Sequence, residues 1–101
     1  MLTTVEKAVT KRIVETALAL SYKVGVSADG ETIAKPSKST EKILKNAFNC
    51  DFVELELDGN NNSGFISLNF FNDGLEIISD YSVNLENFID SLSFKSLVID
   101  L

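Results

Sequence analysis

The chain has 101 residues, 45 % of them hydrophobic and 24 % charged, with a net charge of −6 and no histidine. Five glycines and one proline exclude a collagen-like or low-complexity chain, and the length fits one domain with a real core. The apolar runs are too short for a membrane-spanning helix, and the single Cys50 excludes an internal disulfide.

The first element reads as a helix from about Thr4 to Tyr22. Val5, Val9, Ile13, Ala17 and Leu20 recur at three- and four-residue steps, with Leu2, Val14 and Leu18 widening the stripe. Thr3 or Thr4 suits its cap, and Glu6 lies in the first turn, where the helix dipole favours an acid. Lys7, Lys11, Arg12 and Glu15 fall on the solvent side. Two short strands follow, Lys23 to Ser27 and Glu31 to Lys35, joined by the turn residues Asp29-Gly30. Pro36 lacks a backbone donor and should end the second strand. A shorter helix is expected from Thr40 to Phe48, capped by Ser39, with Ile43, Leu44, Ala47 and Phe48 on its apolar side.

Residues 51–81 then read as an alternation between apolar and acidic positions. Val53, Leu55 and Leu57 share one side of a period-2 pattern, and Glu54, Glu56 and Asp58 share the other. Two further strands, Phe65 to Phe71 and Leu75 to Tyr81, meet across Asn72-Asp73-Gly74. Leu85, Phe88, Ile89 and Leu92 have helical spacing behind Asn84, a candidate cap. The tail from Phe94 to Leu101 fits either another helical piece or an added strand. The order α-β-β-α-β-β-β-α predicts a single α+β domain over residues 1–101. Its sheet should be five-stranded and mainly antiparallel, with helices packed on one face.

Charge is divided unevenly along the chain. Residues 1–45 hold eight basic and five acidic groups, whereas residues 46–101 hold one basic and ten acidic groups. Such a second half repels nucleic acid and anionic membrane and attracts a basic protein surface. Glu54, Glu56, Asp58, Glu76 and Asp80 are expected on the outer sheet face. Phe65 and Phe71 share the parity of Ser67 and Asn69, so they are placed there as apolar anchors. Carboxylates directly opposite one another would destabilise the sheet unless an external cation meets them. The bland alternative is that the acids serve solubility alone.

Signals for catalysis are poor. No histidine is present to act as general base or metal ligand, and Cys50 has no such group to activate it. Metal-binding loops gather their acids in a turn rather than spreading them along strands, so no metal, cofactor or enzymatic activity is expected. The basic stretch Lys35-Pro-Ser-Lys-Ser-Thr-Glu41 lacks the glycines of a phosphate loop. The first residues show no basic segment leading into an apolar run, so a cytoplasmic setting is expected.

Three stretches carry a resemblance. They are Thr3-Thr-Val-Glu-Lys-Ala-Val9, Lys35-Pro-Ser-Lys-Ser-Thr-Glu41 and the segment from Asn72 through Asp73-Gly74 and Asp80-Tyr81 to Glu86. In these the chain resembles small accessory proteins encoded by bacteriophages and prophages. The resemblance implies a bacterial cytoplasmic setting and a protein that binds a host enzyme or defence complex; it assigns no activity to any residue. The expected function is therefore a non-catalytic module that docks its acidic face on a basic surface of a host protein. Two alternatives stay open: a homodimer or larger oligomer formed through an edge strand or the apolar tail, and an inhibitor in which carboxylates mimic the phosphates of DNA.

Overall fold

The computed structural model describes residues 4–59, 62–70 and 77–92. Its elements are α1 (Thr4–Ala19), β1 (Lys23–Ala28), β2 (Glu31–Ser37), α2 (Thr40–Ala47), β3 (Phe52–Asp58), β4 (Ser63–Asn69), β5 (Ile78–Tyr81), a 3-10 turn (Val83–Leu85) and α3 (Glu86–Ser91). The five strands form one antiparallel sheet in the order β2-β1-β3-β4-β5. This is the expected α+β architecture. Pairing of β1 with β3 joins the two hairpin blocks into one sheet.

The period-2 pattern decides which face is buried. Val24 and Val26 of β1, Val53, Leu55 and Leu57 of β3, and Ile66 and Leu68 of β4 all point inward and are shut off from solvent. Burying each such side chain contributes about 1.5–3 kcal/mol. The helices supply the opposing layer. From α1 come Val9, Ile13, Val14 and Ala17; α2 adds Ile43 and Ala47, and the C-terminal turn and helix add Leu85, Phe88 and Leu92. Phe48 meets Phe70 edge to face at 6.5 Å, closing the core beside the end of α2.

Three local readings need correction. The first helix stops at Ala19 rather than Tyr22. Ser21 turns left-handed (φ 70), its N–H donates to the Leu18 carbonyl, and the Tyr22 N–H donates to the Ala17 carbonyl. That pair of bonds is the Schellman closure. It leaves Leu20 57 % exposed and folds Tyr22 back onto Phe88, with ring centroids 6.0 Å apart. Pro36, expected to end the second strand, lies inside β2. The register of β1 with β2 slips twice, so Lys35 and Pro36 together span the place opposite Gly25. A β-carbon on Gly25 would stand 3.1 Å from the Pro36 nitrogen, so glycine is what allows the ring so close.

Asn84 does not cap α3. It lies within the 3-10 turn, and its side-chain amide donates to the Ser63 carbonyl at 2.7 Å and to the Asn62 side chain. The Asn62 amide in turn donates to the Tyr22 hydroxyl (3.1 Å) and the Asn84 carbonyl (3.3 Å). These bonds clasp the β3–β4 connection to the place where the end of α1 meets the 3-10 turn. Ser39 does cap α2, accepting the Lys42 N–H at 3.3 Å, and Asp29 and Gly30 form the left-handed β1–β2 turn. The third strand of the β3–β5 meander, expected from Leu75, begins at Ile78, with Ile77 outside it; the Asn72-Asp73-Gly74 turn and the tail from Phe94 lie outside the described residues.

Candidate functional site

The outer face of the sheet is built by the residues that alternate with the core. Its rows follow from the register. Lys23, Asp58 and Ser63 lie side by side; next come Gly25, Glu56 and Phe65; then Ser27, Glu54, Ser67 and Asp80; then Phe52 beside Asn69. Neighbouring rows are about 6.8 Å apart along a strand, and neighbouring strands about 4.8 Å apart. Among the described residues all three helices contribute to the opposite, buried layer, and no described helix covers this face.

Of the seven residues predicted for the site, five are placed. Glu54, Glu56, Asp58, Phe65 and Asp80 share this face; Glu54, Glu56 and Phe65 are half-buried, and Asp58 and Asp80 are exposed. Phe71 and Glu76 lie outside the described residues. Phe52 was missed. It is 47 % exposed and precedes Glu54 by two residues, so the same alternation that placed the acids also marks it. The face thus carries two aromatic rings, Phe52 and Phe65, among the carboxylates.

The expected opposition of like charges does not occur among the described residues. Glu54 stands between Ser27 and Ser67, Glu56 between Gly25 and Phe65, and Asp58 between Lys23 and Ser63. Asp58 also accepts the Ser63 hydroxyl at 3.3 Å, and Asp80 accepts the Tyr81 N–H at 2.9 Å. Glu54 and Asp80 are separated by Ser67, which is only 5 % exposed, at a strand-to-strand distance of about 10 Å. The sheet therefore needs no external cation to hold these strands together. What is left is an acidic surface whose charges are spaced rather than crowded.

Other chemistry-bearing groups are scattered. Cys50 is half-buried behind α2, its thiol directed to the Asn46 carbonyl at 3.9 Å, and it lines a shallow cleft with Ala28, Asp29, Asn49, Asp51 and Phe52. Among the described residues no three acidic or cysteine side chains are grouped to hold a metal ion. No helix among them is long and apolar enough to cross a membrane. Comparison with protein-family models, with curated proteins and with solved structures gives no match for this chain.

Proposed function

We propose that the chain is a non-catalytic binding module that docks its acidic sheet face on a basic surface of another protein. One observation carries this reading: a sheet face uncovered by any described helix presents Glu54, Glu56, Asp58 and Asp80 around two solvent-accessible aromatic rings. Aromatic residues supply contact area at interfaces, and complementary charge speeds encounter and selects the partner. On the resemblance to phage and prophage accessory proteins, the partner is a protein of the bacterial host and the meeting place is its cytoplasm.

The size of the face bears on affinity. Five strands and up to seven residues per strand outline roughly 20 by 24 Å, on the order of 500 Å². A standard stable interface buries about 800 Å² on each partner. This face alone supports a transient complex, one whose formation depends on charge and so on salt.

The test uses the wild type beside Glu54→Lys/Glu56→Lys as baits in a host lysate, with thermal unfolding to confirm that both are folded. A protein retained by the wild type and lost with the double variant is expected. Equal retention by both baits would remove this face from the proposal.

A further inference from the structure

The exposed charge on the opposite side of the sandwich has the other sign. On α1, Lys7 and Lys11 are exposed and Arg12 is half-buried; on α2, Lys42 and Lys45 are exposed. The two helices pack against each other. Glu15 and Glu41 are the exposed acids on this pair, and α3, with Glu86 and Asp90, restores negative charge further along the layer. The α1–α2 surface is therefore locally basic on a molecule whose net charge is −6.

We infer that the α1–α2 surface of one copy seats on the acidic sheet face of a second copy, so that the chain stacks head to tail and masks its own docking face. This rests on the reading of that face as the docking surface and adds its regulation. Charge complementarity picks the occupant: five cations on α1 and α2 face four carboxylates, Glu54, Glu56, Asp58 and Asp80. Spacing agrees as well. Lys7 and Lys11, four residues apart on a helix, are separated by about 6 Å of rise. Carboxylates on alternate residues of β3 repeat every 6.8 Å or so, a mismatch that flexible lysine side chains absorb. The contact joins two different surfaces, so each copy keeps one face free for the next. Net repulsion and a small area keep the association weak. It rises with concentration and yields to a host protein whose basic surface binds the same face more tightly.

Sedimentation velocity at about 50 mM and about 0.5 M salt tests this, since the Debye length shrinks several-fold over that range. The wild type should exceed the 11.1 kDa monomer mass increasingly with concentration at low salt. At high salt the association should weaken at least about tenfold. Lys42→Glu/Lys45→Glu makes the basic surface acidic, and Glu54→Lys/Glu56→Lys makes the acidic face basic. Each variant alone should stay monomeric, and an equimolar mixture of the two should associate, because the unaltered acidic face of the first meets the unaltered basic surface of the second. Circular dichroism confirms that each is folded. A wild type that stays monomeric at every concentration, a variant that still self-associates, or a mixture that does not would each overturn the inference. Failure of the docking reading looks different: the wild type self-associates but retains no host protein through Glu54 and Glu56.

Discussion

Replacing Gly64 with alanine should destabilise the fold, and the size of the loss can be worked out. Gly64 faces Leu57 across the β3–β4 pair and lies under the 3-10 turn. An added β-carbon would stand 2.8 Å from the Ser82 Oγ and 2.9 Å from both the Ser82 Cβ and the Leu85 Cδ1. Carbon contacts are comfortable at about 3.5–4.0 Å, so something must move by more than half an ångström. Neither neighbour is free to do so. Leu85 is wholly buried, and Ser82 is held by two bonds to Phe65, accepting its N–H at 2.9 Å and donating to its carbonyl at 3.0 Å. Overpacking of this kind costs about 1–3 kcal/mol, and losing the Phe65–Ser82 side-chain bond adds about 0.5–1.5. Alanine in place of a strand glycine returns about 0.5–1 kcal/mol. The net loss is about 0.5–4 kcal/mol, centred near 2, read as a lower urea midpoint at unchanged slope and a fall of roughly 4–8 °C in Tm per kcal/mol. Adding Ser82→Gly removes two of the three close contacts. The double variant should therefore be more stable than the sum of the single effects, by at least about 0.5 kcal/mol. A Gly64→Ala protein as stable as the wild type would refute the close approach of the turn to β4.

Ser21→Gly should stabilise the protein by about 0.5–1 kcal/mol, because the left-handed C′ position of α1 suits glycine; a lowered urea midpoint would show that Ser21 does not hold that conformation. Leu55→Ala, at the centre of the sheet with both neighbouring strands paired to it, should cost about 2–5 kcal/mol in the same assay. Asn84→Ala should cost about 0.5–1.5 kcal/mol and speed amide hydrogen exchange around Asn62 and Ser63; unchanged exchange there would mean that the side-chain clasp does not hold the β3–β4 connection.

The strands with clean alternation were legible in the sequence because the physical pattern is local. Val53, Leu55 and Leu57 against Glu54, Glu56 and Asp58 fix both the strand and its two faces without reference to any partner. Ser39 and Asp29-Gly30 were legible for the same reason: a cap and a tight turn are decided by a few adjacent residues. Tyr22 and Asn84 were misread because long-range contacts decide their roles. Helical periodicity runs on through Leu20 and Tyr22, but the Schellman closure and the Tyr22–Phe88 contact end the helix first. Asn84 has the composition of a cap, yet its amide is used across 21 residues of chain. A proline lacks a donor and so reads as a strand stop, yet Pro36 lies on the outermost strand, and Gly25 makes room for its ring. The acidic face was readable as a set of residues, but not as a charge pattern. Only the inter-strand register shows that Ser27, Ser67, Gly25 and Lys23 stand between or beside the carboxylates.

The twice-interrupted pairing of β2 has a consequence for the fate of the protein at high concentration. An unpaired sheet border is a template on which further chains can add strand by strand, the route to fibrils. Here the β2 border offers no even ladder: its two bulges break the run of donors and acceptors, Pro36 removes one donor altogether, and exposed Lys35 sets a charge beside it. Sheet growth is blocked at that border by backbone geometry, independently of salt, so crowding should not recruit copies there into an irreversible aggregate.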